Sequence, residues 1–377
     1  MILIKNAHIY SPKDLGRKNI IISFDKIASI VDEVPNIEFS EVYDAKGKAV
    51  VPGIIDQHIH ITGGGGEGGF ETKVPELQLS KLVQAGITTA VGLLGTDSVT
   101  RSVENLVSKA IALTHEGIKT YALTGSYAYP SPTITGDIKK DIVFLDSVIG
   151  LKIASNDHRD SALDYRELAR LGTCARVAGM ISGKSGHVTV HLGGGKFLLD
   201  QIREALDFSN LPISTFRPTH VNRDRNTYLD ALSFAEEGGY IDATCKMSSD
   251  ITDVEVYKLA KEDRILDKLT FSSDGYGSWS KYDEEGNLTA IGYSPVDTSI
   301  ATIKEIVQSG EPLEEVLEPF TSTVAKCLKL HREVGYLKEG YLSNLLVLNE
   351  DLSINSVMSM GKWMMKNGKF LVKGLYE

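Results

Sequence analysis

The sequence predicts an α/β protein, a (β/α)8 TIM barrel with a small β-sandwich domain built from both chain termini. Between residues 51 and 334, apolar runs of strand length alternate with amphipathic stretches, as is typical of βα units around a parallel sheet. Residues 1–50 and 335–377 instead contain short alternating segments with Gly, Pro or Asp turns between them. Two β-rich ends around a different middle predict one small sheet domain to which both termini contribute.

The terminal segments have the period-two pattern of half-buried strands. The N-terminal segment contains "MILIKNAHIY", "NIIISFDKIASIVDEV" and "EVYDAKGKAVV", and the C-terminal segment contains "GYLKEGYLSNLLVLN" and "SINSVMSMGKWMMKNGKFLVKG". We therefore expect residues 1–50 plus 335–377 to form the small domain and residues 51–334 to form the barrel.

The middle of the chain contains eight candidate strands. They cover residues 53–61, 86–95, 117–127, 147–155, 187–193, 212–221, 239–246 and 269–275. Amphipathic stretches separate most of them, and "VPELQLSKLVQAG" begins near a proline and stops at Gly86, as helices often do. A doubly wound sheet is the alternative, but six strands would be enough for it.

Composition narrows the function classes. The 377 residues carry a net charge of −10, which argues against nucleic acid or an anionic membrane as a partner. We find neither a signal-peptide core nor an apolar run long enough to span a membrane, so we expect a cytoplasmic protein. The cysteines are isolated in sequence and are interpreted as structural thiols.

Histidines and one aspartate mark the predicted strand ends. His58 and His60 in "DQHIHITGGGGEGGFETK" project from one strand face, roughly 6–7 Å apart. His191 precedes "LGGG", His220 ends "RPTH" and Asp274 ends "SSDG", each at the carboxyl end of a predicted strand. A single histidine there is more often structural, but barrels place their chemistry at this edge, so the joint placement indicates a metal site.

The donor set is too large for one metal ion. Four imidazoles and one carboxylate exceed the needs of a four-coordinate zinc, so two metal ions with an anionic bridge are implied. Lys152 in "GLKIAS" lies in the fourth predicted strand, which offers no His, Asp or Glu at its end. An ammonium cannot bind a metal, but a lysine carboxylated by CO₂ could bridge two. An ordinary salt bridge is the alternative for Lys152.

These motifs resemble the binuclear branch of the amidohydrolase superfamily. The resemblance rests on "VPGIIDQHIH", the strand-four lysine, the two later histidines and the strand-eight aspartate, although "SNL" at 343–345 replaces the usual "ADL". Within that superfamily the chain is similar to the isoaspartyl dipeptidases (β-aspartyl peptidases), through "GGGGEGG", "TGSYAYPSPT", "SNDHRD", "THVNR" and "SSDGYGS". The likeness extends over nearly the whole chain.

The resemblance implies a site and a reaction. The implied metal ligands, for two zinc ions bridged by carboxylated Lys152, are His58, His60, Lys152, His191, His220 and Asp274. The implied substrate contacts are Glu67 to the free ammonium, Arg223 with Ser278 to the aspartyl α-carboxylate, Arg159 to the carboxylate of the leaving residue, and, more weakly, Gly65 and Thr96. Tyr127 would polarise the scissile carbonyl. A bridging hydroxide would then hydrolyse the β-peptide bond of a β-aspartyl dipeptide, with Asp274 transferring the proton. A homo-oligomer is also implied.

Several alternatives stay open at the sequence level. Glu67, Arg159 and Arg223 could be ordinary surface charges, and Arg159 could form a local salt bridge within "DHRD". A cyclic-amide hydrolase, such as a dihydroorotase or hydantoinase, would share the metal site but has no substrate ammonium for Glu67. A deaminase would not need the strand-four lysine, and a non-catalytic scaffold should have lost some of the ligands. Zinc, cobalt and manganese share this kind of ligand set.

Overall fold

A computed structural model describes residues 1–283 and 285–377. In chain order, its strands are β1 (Ile2–Tyr10), β2 (Asp14–Ser23), β3 (Lys26–Val31), β4 (Glu41–Asp44), β5 (Ala49–Pro52), β6 (Ile54–Ile59), β7 (Ile87–Gly92), β8 (Lys119–Gly125), β9 (Val148–Ser155), β10 (His187–Leu192), β11 (Phe216–Thr219), β12 (Ile241–Thr244), β13 (Leu269–Ser272), β14 (Ser278–Tyr282), β15 (Leu288–Tyr293), β16 (Leu345–Leu348), β17 (Ile354–Ser359), β18 (Lys362–Lys366) and β19 (Lys369–Phe370). The α-helices are α1 (Leu79–Gln84), α2 (Val103–Glu116), α3 (Ile138–Phe144), α4 (Tyr165–Ser182), α5 (Asp200–Phe208), α6 (Arg225–Glu236), α7 (Asp253–Glu262), α8 (Thr298–Gln308), α9 (Leu313–Val316) and α10 (Ser322–Cys327).

Both termini build one sheet. Its order is β19-β18-β17-β16-β5-β1-β2-β3, and β4 pairs with β1. The antiparallel pair β16–β5 joins the C-terminal strands to the N-terminal ones. Side chains from both ends share one apolar core, in which the rings of Tyr43 and Trp363 lie 4.7 Å apart. The division of the chain into domains at residues 50 and 335 stays a prediction.

Strands β6 to β13 form the barrel. They pair in sequence order, and each pair that the structure describes is parallel. A parallel bridge between Ile59 and Gly275 brings the end of β6 beside the segment after β13, so the barrel is nearly closed. The carboxylate of Asp56 strengthens this seam, because it accepts hydrogen bonds from the backbone N–H groups of His58 and Ser273. The predicted fold class is confirmed.

The helices begin and end where local chemistry dictates. Helix α4 opens with a capping box, in which Asp164 accepts from the backbone of Glu167 and the Glu167 side chain accepts from Asp164. It ends at Gly183, whose φ of 71° fits the left-handed conformation that glycine adopts readily. Helix α1 begins only at Leu79, so much of the predicted stretch "VPELQLSKLVQAG" is not helical.

Loops at the carboxyl ends of the strands cover the barrel mouth. The glycine-rich loop follows β6, and the β14–β15 hairpin follows β13. This hairpin is not among the elements predicted from the sequence, which gave no strand between residues 276 and 293. Among the described residues, no helix combines the length and the apolar character that crossing a bilayer would require.

Candidate active site

The predicted histidines converge at the barrel mouth. The ring centroids of His58 and His60 lie 5.7 Å apart, those of His58 and His220 4.9 Å, and those of His191 and His220 4.6 Å. His60 lies just beyond the end of β6, and its backbone N–H donates to the carbonyl of Gly275. All four imidazoles are buried. Residues that are up to 162 positions apart in the chain therefore meet in one cluster.

Burial keeps three of these imidazoles neutral. Desolvation, helped by neighbouring positive charge, places the pKa values of His58, His191 and His220 well below the usual value. Neutral imidazole is the form that binds a metal ion.

Hydrogen bonds fix the orientation of His58 and His220. Nδ1 of His58 contacts the hydroxyl of Thr219 at 3.2 Å, and that hydroxyl donates to Asp242 at 2.8 Å. Nδ1 of His58 therefore donates, which leaves Nε2 as the free lone pair. Nδ1 of His220 contacts the hydroxyl of Thr244 at 2.7 Å, so Nε2 of His220 also faces the cluster.

Asp274 completes this cluster from the end of the eighth barrel strand. Its Oδ1 lies 3.4 Å from Nε2 of His58 and 3.2 Å from Nε2 of His60, and it has no hydrogen-bond partner among the described residues. The residue has a φ of 51°, in the left-handed region that aspartate tolerates better than most residues. That backbone turn carries the carboxylate to the histidines.

Lys152 is fully buried in β9 beside the histidines. Its Nζ lies 3.5 Å from Nε2 of His58, and the salt bridges among the described residues include none to Lys152. Burial lowers the pKa of Lys152 to about 7, so a neutral amine is accessible near neutral pH. The alternative of an ordinary salt bridge finds no support in this geometry.

His191, another predicted ligand, makes close contacts through both of its ring nitrogens. Nε2 lies 3.0 Å from Oδ2 of Asp157, and Nδ1 lies 2.5 Å from the hydroxyl of Tyr127. A carboxylate only accepts, so Nε2 donates to Asp157 and Nδ1 accepts from Tyr127. The nitrogen available to a metal ion is therefore Nδ1, once the Tyr127 hydroxyl turns away.

Two of the three predicted substrate-binding charges, Glu67 and Arg159, contact each other. The side chain of Glu67 is only 8% exposed and accepts hydrogen bonds from the hydroxyl of Ser278 at 2.9 and 3.1 Å. Arg159 approaches Glu67 at 3.4 Å and lies over the ring of Tyr127. Arg159 also forms the local salt bridge that the sequence allowed, because it binds Asp157 through two nitrogens at 2.8 and 2.9 Å.

The remaining residues predicted to contact the substrate do not form a single group of mutual contacts. Arg223 donates to the carbonyl of Leu192, and Ser278, its predicted companion, is instead bonded to Glu67. Thr96 is half-buried in the loop after β7. Gly65 has a φ of 81° in the glycine-rich loop, where an added Cβ would lie 2.5 Å from the carbonyl of Thr72. Their substrate contacts stay predictions.

Two carboxylates of the site were not predicted from the sequence. Asp157 touches both His191 and Arg159, and Asp242 orients His58 through Thr219. Asp157 stands in "SNDHRD", beside the predicted substrate-binding Arg159, and Asp242 stands inside the short strand "IDAT" with no neighbouring motif. Only the position of Asp157 after a strand end could have indicated its role.

The residues present suit a metal ion. One ligand atom each of His58, His220 and Asp274 lies within 4.8 Å of the other two. Nδ1 of His60 and Oδ1 of Asp274 are buried without a hydrogen-bond partner in the described structure, although buried polar atoms are normally paired. Neutral imidazoles with a carboxylate form a donor set typical of zinc and related ions. The site is therefore compatible with a metal ion bound at the mouth of the barrel.

Comparison with known proteins places the chain in a family. The model of the amidohydrolase family matches residues 49–364, and the chain belongs to that family. It is similar to the crystal structure of a beta-aspartyl dipeptidase from Fervidobacterium islandicum AW-1 in complex with beta-Asp-Leu dipeptide, with 41% sequence identity, 98% of each chain covered and a TM-score of 0.94. The resemblance to the isoaspartyl dipeptidases of the amidohydrolase superfamily is thereby confirmed. The prediction that the chain is a hydrolase is confirmed as well.

Matches to curated proteins are shorter. An L-hydantoinase from Paenarthrobacter aurescens is 33% identical over 60 residues, which are 16% of this chain and 13% of that protein. A dihydroorotase from Lactobacillus leichmannii is 33% identical over 113 residues, which are 30% of this chain and 25% of that protein. The chain thus spans at most a quarter of the length of these two relatives.

Proposed function

We propose that this protein hydrolyses the β-peptide bond of β-aspartyl dipeptides at a binuclear zinc site. The observation that carries the proposal is the carboxylate of Glu67, whose side chain is only 8% exposed and lies beside the guanidinium of Arg159. A β-aspartyl dipeptide has one ammonium and two carboxylates, so a matching site needs an anion and cationic groups. The 41% identity to a beta-aspartyl dipeptidase over 98% of the chain supports the same substrate class.

The proposed zinc ligands are the histidine cluster with Lys152 and Asp274. Carboxylation would turn the buried Lys152 amine into an anionic bridge. It would also remove the unfavourable free energy of burying an unpaired ammonium inside the barrel. Two zinc ions bound there would supply a bridging water acidified to hydroxide near neutral pH and a Lewis acid for the scissile carbonyl.

Asp274 and Tyr127 are the proposed catalytic side chains. Asp274 faces the cluster with an unpaired oxygen, so it can take the proton from the attacking water and deliver it to the leaving amine. Burial raises the pKa of Tyr127, so its phenol stays protonated and can donate a hydrogen bond to the developing oxyanion. A well-placed donor of this kind contributes about 3–4 kcal/mol to the stabilisation of the transition state.

The loops provide the proposed substrate contacts. Glu67 would bind the free ammonium, Arg223 with Ser278 the aspartyl α-carboxylate, and Arg159 the carboxylate of the leaving residue. In the described structure Glu67 pairs with Ser278 and Arg159 themselves, so substrate would exchange these internal contacts for its own charged groups. Binding at both ends would hold the scissile bond at the cluster. Gly65 and Thr96 would supply weaker contacts.

A substrate panel tests the proposal. We would compare kcat/KM of the zinc-loaded protein for β-Asp-Leu, α-Asp-Leu and dihydroorotate. A strong preference for β-Asp-Leu is expected, because α-Asp-Leu presents a different carbonyl and dihydroorotate has no ammonium. Activity on dihydroorotate alone would favour the cyclic-amide hydrolases, which the short matches to a hydantoinase and a dihydroorotase keep as a weaker candidate.

The substitution Asp274→Asn tests the proton-transfer role. We expect turnover of β-Asp-Leu to fall at least about 100-fold, since general acid–base catalysis contributes roughly 10²–10⁴ in rate. Most of the bound zinc should remain, because five other ligands are intact. Activity and zinc content per chain are the two measurements. Wild-type rates in the variant would contradict the role of Asp274.

A further inference from the structure

Asp157 is a carboxylate at the barrel mouth that has no place in the proposed chemistry. Its carboxylate is 4% exposed, binds Arg159 through two nitrogens and accepts a hydrogen bond from Nε2 of His191. One carboxylate thus contacts a proposed metal ligand and a proposed substrate-binding arginine at the same time.

The fold makes room for this carboxylate. Gly193 follows the last residue of β10, and a Cβ added there would lie 2.5 Å from Cβ of Asp157. A Cβ on Gly195 would lie 2.1 Å from Oδ1 of Asn156. Glycine in "HLGGG" therefore allows the loop after β9 to approach the end of β10, a use that the sequence pattern alone did not reveal.

The contacts of Asp157 fix the tautomer of His191. A carboxylate only accepts hydrogen bonds, so Nε2 of His191 donates to Oδ2 of Asp157 across 3.0 Å. The proton therefore stays on Nε2, and the lone pair of the ring is on Nδ1, which accepts from the hydroxyl of Tyr127 at 2.5 Å.

We propose that Asp157 is a positioning residue that couples substrate binding to the metal centre. It holds the guanidinium of Arg159 facing the site and holds His191 in the tautomer whose Nδ1 can bind a metal ion. The first role rests on the proposed function, because it assumes that Arg159 binds the carboxylate of the leaving residue. The second depends only on the geometry around His191.

Two variants remove the carboxylate. Asp157→Asn keeps the size of the side chain but presents an N–H group to donors, whereas Asp157→Ser removes the carboxylate and leaves space for water. Both variants should show the same reductions in substrate preference and in zinc affinity. One variant is therefore enough for the test if the other does not fold. Asp207→Asn, which removes one negative charge from the exposed surface of α5, is the matched control.

The first measurement compares β-Asp-Leu with β-aspartyl-leucinamide, which lacks the terminal carboxylate, at saturating zinc. Wild type should favour the acid, and this preference in kcat/KM should fall at least about 10-fold in both Asp157 variants, mainly through KM for the acid. The second measurement is zinc affinity by competition with a chelator, which should weaken about 10–100-fold, as is usual when the partner of a ligand histidine is lost. The Asp207→Asn variant should match wild type in both.

An unchanged substrate preference, or an unchanged zinc affinity, overturns the proposal. A merely structural role would lower turnover of both substrates equally and leave their ratio intact. If wild type hydrolyses neither substrate, the proposed function fails, while the zinc competition still decides whether Asp157 positions His191.

Discussion

Glu67 owes its chemistry to where its loop places it. An isolated glutamate among glycines has no helical or core role, and the structure buries this one against Ser278 and Arg159. A buried carboxylate is costly unless charged or polar partners satisfy it. Here the partners, Ser278 and Arg159, are themselves proposed substrate contacts.

At the residue scale, Glu67→Gln should reduce kcat/KM for β-Asp-Leu by about 10–100-fold, because a hydrogen bond to a charged group is worth roughly 1.5–3 kcal/mol. Glu71→Gln, an exposed position in the same segment, is the control and should leave the rate unchanged. Steady-state kinetics of the two variants decide the matter. Equal rates for Glu67→Gln and wild type would remove the ammonium contact and favour a substrate without one.

The loops at the ends of the strands bring the side chains of the site together. The glycine-rich loop turns back on itself, so that Gly65 pairs with Lys73 in an antiparallel bridge and the backbone N–H of Val74 donates to the carbonyl of Gly64. The guanidinium of Arg101 donates hydrogen bonds to the carbonyls of Thr62, Gly64 and Val74 in the same loop. Glu67 therefore stands on a loop whose backbone is held from both sides.

At the element scale, Gly65→Ala should displace this loop, because the new Cβ would lie 2.5 Å from the carbonyl of Thr72 at a φ of 81°. We expect KM for β-Asp-Leu to rise several-fold. The control is Gly183→Ala, which has a φ of 71° with open space around it and lies at the end of α4. Both variants bear the strain of a positive φ, so a higher KM in Gly65→Ala alone identifies the loop displacement.

The whole molecule combines a nearly closed barrel with a sheet from both termini. The barrel buries four imidazoles and a lysine beside the partly buried Asp274, which is stable only if oppositely charged or polar partners satisfy these groups. A ligand that binds only the folded chain adds to its free energy of unfolding by mass action. Bound metal is therefore expected to stabilise the entire fold.

At the whole-molecule scale, removing metal ions by dialysis against a chelator should lower Tm by several degrees. A ligand present at 1,000 times its Kd contributes about 4 kcal/mol to the free energy of unfolding. Zinc should restore Tm, whereas magnesium, which prefers oxygen ligands, should not. Thermal unfolding with and without each ion is the measurement. A Tm that is the same in all three states would argue against a metal centre.

Much of the site could be predicted because its residues stand next to strand ends. Four of these residues lie near the carboxyl end of a predicted strand, namely His58, His191, His220 and Asp274. The parallel strands of a barrel all end at one edge. The β14–β15 hairpin could not be predicted, nor could the hydrogen bonds that orient the predicted ligands, such as the contact of His58 with Thr219, which in turn donates to Asp242. They depend on which strands become neighbours, which no local pattern specifies.

The sequence by itself determined the barrel, the sheet built from both termini and the residues that gather at the barrel mouth, because periodicity and turn residues are local properties. Only the tertiary structure decided which atoms meet. It gave Arg159 two partners, Asp157 and Glu67, bonded Ser278 to Glu67 and bonded Arg223 to the carbonyl of Leu192. The physical reason is that hydrogen bonding and burial depend on distances between loops that are far apart in the chain, and those distances exist only once the barrel has closed.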